Sequence, residues 1–182
     1  MRRTLTFLAM AILGGCGSWT PAQPRERQPG TEFPGMPPDF ALSLAVLVPS
    51  ASAEPGFPEP AWYLVEADGQ LRAAPGDRGP TSPLPPYRRQ LTHDEVARLW
   101  STIRAAGLSP DDRERQGQSS AVTTGVSDVP TVPIERPMAS LYVCAGGDRR
   151  GYLIDLASPE AAAGRVRALA DELARASGLD AE

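Results

Sequence analysis

The residues able to do bond chemistry are few and far apart along the chain. There is one histidine, His93, and there are two cysteines, Cys16 and Cys144, in 182 residues. A catalytic thiol needs a base to hold it as thiolate. His93 is the only imidazole, and nothing in the sequence ties it to Cys144. The carboxylates Asp94-Glu95 and Asp171-Glu172 form adjacent pairs in helical stretches. General acid/base work needs both groups on one side of a substrate. Neighbouring helical positions point in different directions, so neither pair makes a dyad by itself. Ser119-Ser120 and Thr123-Thr124 offer hydroxyls without an accompanying base. Gly146-Gly147-Asp148 is glycine-rich, but it lies between two strand-like runs. A phosphate site needs a strand running into a helix amino terminus. No catalytic residue and no cofactor is therefore assigned.

Cys16 reads differently. Arg2 and Arg3 form a short positive start, and the run from Leu5 to Leu13 is apolar and uncharged. That run has the length of a signal-peptide core and is too short to span a bilayer, which takes about 20 residues. The next four residues, Leu13-Gly14-Gly15-Cys16, closely resemble the lipobox of bacterial lipoproteins. The resemblance covers only about the first 18 residues. It implies a diacylglyceryl group on the Cys16 thiol, cleavage just before Cys16, and often acylation of the new amino group. Small Gly14 and Gly15 suit a narrow protease cleft, and a thiol is the nucleophile that alkylation requires. Two or three acyl chains make a stable anchor where one is marginal. Gly17 and Ser18 follow, without the Asp that in this family marks inner-membrane retention. The expected location is the cell envelope, with the outer membrane, facing the periplasm, favoured over the inner.

Removal of residues 1–15 would leave 167, enough for one domain and a tail. The full chain carries a formal charge of −4, and loss of Arg2 and Arg3 makes it more acidic. That balance gives no reason to expect nucleic acid as a partner. All 18 basic residues are Arg, a bias that fits a GC-rich coding sequence. With Cys16 lipidated, Cys144 has no partner for an internal disulfide and is expected to be buried in a strand. One His and one remaining Cys cannot make a His/Cys metal site.

Residues 17–38 hold six prolines among polar residues and read as a solvated tether. Trp19, three residues past Cys16, suits a membrane interface. Order is expected from residue 39. Phe40, Leu42, Leu44, Val46 and Val48 recur every second residue, a strand with one buried face. Asp68-Gly69 between strand-like runs predicts a two-residue type I′ hairpin. Residues 75–86 read as a Pro-rich loop, and Tyr87 to Leu91 as a short edge strand.

Thr92-His93-Asp94-Glu95 is a capping box, and Leu91 with Val96 is a hydrophobic staple. Val96, Leu99, Trp100 and Ile103 then line one helical face, and Gly107 ends the helix. His93 is expected to be an exposed first-turn residue. Trp62 and Trp100 are expected in the core. Residues 109–137 read as one long flexible loop. A second hairpin is expected with Gly147-Asp148 as its turn, which would oppose Val143 to Tyr152 and Leu141 to Ile154. Ser158 as cap and Pro159 in the first turn are expected to open the last helix. Its inner stripe is Val166, Leu169, Ala170 and Leu173, and Gly178 closes it.

The two strands-then-helix units predict an α+β fold. It is a two-layer sandwich in which an antiparallel sheet carries both helices on one face, preceded by a disordered tether. The expected division is signal peptide 1–15, lipidated Cys and tether 16–38, and a single domain 39–182. The expected role is a membrane-anchored envelope lipoprotein, non-enzymatic, that binds a protein partner or serves structurally. The competing role is an envelope hydrolase whose dispersed carboxylates meet in the folded chain.

Overall fold

The computed structural model describes residues 35–49, 57–76, 83–110, 122–124 and 135–179, with backbone alone for 122–124. Cys16, the lipobox, Trp19, residues 17–34 of the expected tether and most of the expected 109–137 loop lie outside the described residues. Among the described residues, seven strands and two helices follow in the order β1 (Ala41–Leu47), β2 (Ala61–Val65), β3 (Gln70–Pro75), β4 (Tyr87–Gln90), α1 (His93–Ala105), β5 (Val122–Thr124), β6 (Met138–Ala145), β7 (Asp148–Asp155) and α2 (Ala161–Ser177). The strands form one antiparallel sheet in the order β4-β3-β2-β1-β6-β7-β5. The fold is α+β, an open antiparallel sheet carrying two helices.

Alternation along the strands builds the core in rows. Leu71, Val65, Leu42 and Val143 lie side by side across four strands, and Ala73, Tyr63, Leu44, Leu141 and Tyr152 make the next row. These residues form one buried cluster with Val96, Leu99, Trp100 and Ile103 of α1 and Val166, Leu169, Ala170 and Leu173 of α2. Both helices therefore pack on the same sheet face. The central strands are buried on their other face as well. Ala45, Leu47 and Trp62 form a separate cluster there, and Trp62 Nε1 donates to Ser43 Oγ at 2.9 Å. The period-2 reading of β1 identified its inner face but not the burial of Ala41, Ser43, Ala45 and Leu47.

Helix α1 begins as its sequence dictates. Thr92 caps it, the capping box is complete, and Gly107 takes a positive φ of 71°. Gly107 N donates to Arg104 O and Leu108 N to Ile103 O, the paired bonds of a Schellman end, which buries Leu108. Trp100 sits against Phe40 with ring centroids 5.1 Å apart, and its indole donates to Gly35 O at 2.8 Å. Met36 packs on the same core. Gly35 and Met36, expected in the tether, thus contact the domain core.

Both hairpins differ from expectation at the turn. Glu66 N bonds Gln70 O and Gly69 N bonds Glu66 O, so three residues make the first loop and Gly69 alone has positive φ. This is a type I turn with a bulge, not a type I′ turn. The Asp68 carboxylate accepts from Gln70 N at 3.1 Å and from Gln70 Nε2 at 2.8 Å, which suits Asp68 at negative φ. In the second hairpin Gly146 and Gly147 both have positive φ, 63° and 81°, the demand of a type I′ pair. The register is therefore Leu141↔Tyr152 and Val143↔Arg150, two residues away from the expected pairing. An even shift keeps every side chain on its predicted face.

Two further expectations are corrected. Helix α2 starts after Glu160, not after Ser158. Ser158 Oγ accepts from Glu160 N and so closes a local turn ahead of the helix. The segment read as an uninterrupted loop, 109–137, contains β5, whose residues pair with Tyr152 to Ile154 of β7. Its Val122 is the single apolar residue of a three-residue strand, too little for alternation to be visible.

Candidate functional site

Two places on the described surface gather side chains with binding or chemical potential. The first is a cleft of about 330 Å³ where β4, α1 and α2 meet. Leu91, Leu99 and Leu173 make its apolar lining, and Arg89, Glu95, Arg98, Glu172 and Arg175 supply charge. Arg89 organises it. Its Nε donates to Ala176 O at 2.8 Å, and its Nη2 reaches Glu95 Oε1 at 2.5 Å. One side chain of the edge strand thereby ties together the amino end of α1 and the carboxyl end of α2. The other Glu95 oxygen accepts from Thr92 N at 2.8 Å and Thr92 Oγ1 at 2.9 Å. The Thr92 backbone N–H, followed by Arg89, lowers the Glu95 pKa to about 2. Across the cleft Arg98 Nε stands 4.0 Å from Glu172 Oε1.

The fold therefore brings one member of each adjacent carboxylate pair, Glu95 and Glu172, into one cleft. Their partners Asp94 and Asp171 are exposed. A carboxyl that stays ionised down to about pH 2 makes a fixed anion and not a proton donor near neutrality. The Arg89 link was missed in the sequence. The capping box drew attention to Glu95, but nothing in the spacing marked an arginine six residues earlier as its partner.

The second place is the sheet edge at β4. Leu84 is 57% exposed and Tyr87 51%, and they are the exposed large apolar residues among the described residues. Pro83 and Pro86 beside them are exposed, while Pro85 between them is buried. In the sequence Leu84 falls in the stretch read as a Pro-rich loop, and Tyr87 opens the stretch read as a short edge strand. Two isolated apolar residues beside prolines carry no periodicity that would mark them as a surface pair.

The remaining candidates are dispersed. Cys144 lies on a strand, β6, as expected, but is half-buried and not buried, on the sheet face away from the helices and opposite Arg149. Burial raises its thiol pKa, so the thiol form dominates near neutrality. His93 is the first residue of α1. It is half-buried and engaged with neighbouring groups, not exposed as expected. Trp62 and Trp100 are both in the core. The backbone N–H groups of Gly146 and Gly147 donate to the two Asp39 oxygens at 2.8 and 2.7 Å. This anion-receptive turn is thus filled by the chain's own carboxylate, which pins the entry to β1. Ser119 and Ser120 lie outside the described residues.

Among the described residues, no group of three or more His, Cys, Asp or Glu side chains could hold a metal ion. No helix of the described residues is long and apolar enough to cross a membrane. No protein-family model matches the chain, and no curated protein matches it.

Proposed function

We propose that this chain is a lipid-anchored cell-envelope protein whose folded domain binds another protein and performs no catalysis. Its anchor is Cys16 at the end of Leu13-Gly14-Gly15-Cys16, and its location is the envelope, at the outer membrane facing the periplasm. The observation that carries the binding role is the exposure of both Leu84 and Tyr87, three residues apart at the β4 edge. Burying two such side chains favours association, and exposed apolar groups that cluster mark contact sites more often than single ones do. The hydrolase alternative draws on Glu95 and Glu172. Glu95 is committed to Arg89 and the α1 cap, and such a group orders structure more readily than it moves protons.

Two measurements test the proposal. Mass spectrometry of the mature amino terminus should find diacylglyceryl-modified Cys16, and an intact Met1 or a free Cys16 thiol would refute the anchor. Affinity purification from envelopes, with the native chain beside Cys16→Ser, should enrich one stoichiometric partner more strongly with the lipidated form. Hydrolysis of an envelope polymer, abolished by Glu95→Gln and Glu172→Gln, would overturn the non-catalytic role.

A further inference from the structure

We propose that Leu84, Tyr87 and Arg88 form a preordered arm that inserts into an apolar, aromatic-lined groove bearing a carboxylate on another protein. This rests on the binding role proposed above and specifies its surface and the chemistry of its partner. The arm begins at Pro83. Proline rings at 83, 85 and 86 fix φ near −65°, and a following proline bars Leu84 and Pro85 from helical backbone. In such an extended chain, with three residues per turn and about 3.1 Å per residue, Leu84 and Tyr87 fall on one side about 9 Å apart. Burial agrees with that geometry, since Pro85 is buried while Leu84 and Tyr87 stand out. Little conformational freedom is left to lose on docking, which favours affinity.

The charge beside the arm indicates what the groove must carry. Arg88 is half-buried and spends its Nε on Ala73 O at 3.2 Å. Among the described residues no carboxylate pairs with it. Neighbouring Arg89 is already matched by Glu95. In an acidic chain Arg88 is a local positive group with capacity for a partner's carboxylate.

The same edge argues against strand addition. β4 has only four residues, and Leu71↔Arg89 followed by Arg72↔Tyr87 leaves Arg88 as an extra, bulged residue. Short, bulged and charged edges resist continued pairing. A second copy docked edge to edge would also bring the adjacent arginines of two β4 strands together, like charges in apposition. Recognition through the Leu84 and Tyr87 side chains avoids both penalties.

The test places a photo-crosslinking amino acid at position 84 of the full-length chain in its native cells. A control carries it at position 165, on the exposed side of α2. Position 84 should give one adduct to a different protein. The linked peptide should map to aromatic or aliphatic residues beside an Asp or Glu. Tyr87→Ala and Arg88→Glu should each lower adduct yield about tenfold or more, the effect of removing an interface anchor. Arg88→Lys should retain part of it, and circular dichroism should show every variant folded, with Arg88→Glu losing no more stability than its single bond to Ala73 O supplies. An adduct with a second copy, or a yield indifferent to Arg88→Glu, overturns the arm. Adducts from position 165 but none from 84 sink the arm and leave the binding role standing. No adduct from either position refutes both.

Discussion

The two helices lie on the same sheet face and bury similar stripes, yet their ends are held in different ways. Helix α1 carries its own termination. Thr92 and Glu95 close the amino end, and Gly107 with Leu108 closes the carboxyl end. Helix α2 has Glu160 at its cap position with no side-chain capping bond and no acidic residue in its first turn. Its carboxyl end does close locally, at Gly178 with φ 72° and its N–H on Arg175 O. The contrast therefore lies at the amino end, and further support comes from outside the helix. Arg167 of α2 donates to Leu156 O just before the helix, and Arg89 from β4 donates to Ala176 O near its end. The third helical position explains the contrast. It is Glu95 in α1, near enough to solvent to fold back on the cap, and Ala163 in α2, fully buried in the core. A position that must pack cannot also cap.

The largest test of this contrast is in the core. Trp100→Ala should cost about 3–5 kcal/mol in chemical denaturation, the usual range for a buried large aromatic. It removes the Phe40 contact and the bond to Gly35 O together. Leu169→Ala on α2 should cost about 2–4 kcal/mol. The reverse ranking would show that α2 is the principal support of the sheet. Trp100→Phe should lose about 1 kcal/mol through the indole bond, beyond any loss from packing.

Next is the residue that joins the helices. Arg89→Ala should cost about 1–2 kcal/mol, since it removes a charge-assisted bond at α1 and a backbone bond at α2. Hydrogen exchange should then rise at the carboxyl end of α2 more than at the amino end of α1, where Thr92 and Glu95 still cap. Equal loosening of both ends would mean that α1 depends on Arg89 as much as α2 does.

Glu95 makes the contrast pH-dependent. Its folded pKa of about 2 lies below the ordinary 4.5. The unfolded chain therefore takes up a proton first as pH falls. The stabilisation is fully present above about pH 4.5 and is lost as pH falls toward 2. Glu95→Gln should flatten the stability profile across that window. An unchanged slope would show that other carboxylates dominate acid unfolding.

What the sequence disclosed follows the same division. Features set by nearby residues were legible: the capping box, the strand faces and the glycine stops at Gly107 and Gly178. Features set by distant partners were not. Gly146-Gly147 and Gly147-Asp148 are both acceptable turn pairs locally, and the two positive φ values that the observed register demands choose between them. Arg89 looked like any surface arginine because its partners come from both helices. Strand β5 is three residues whose pairing with β7 supplies what its own pattern lacks. Of the surface, Leu84 and Tyr87 were hidden by the absence of any period. Cys16 rests on its neighbours in sequence alone.

The smallest expected effect probes the bare end of α2 directly. Glu160 occupies the cap position, but its carboxylate extends one methylene too far to fold onto the free N–H groups of the first turn. Glu160→Asp places an oxygen within reach of them, as the preferred cap residues do. Glu160 already engages other groups, so the substitution gives up one interaction to gain another. Caps contribute about 0.5–2 kcal/mol, and a net gain of about 0.5 kcal/mol is expected here. Thr92→Ala in α1 is the reference, with a loss of about 1 kcal/mol. The sign of the Glu160→Asp change decides the comparison. A gain means that α2 lacks only a cap and that its distant bonds compensate. A loss means that the present Glu160 contact outweighs a cap, and that the start of α2 is fixed by tertiary structure as firmly as its end.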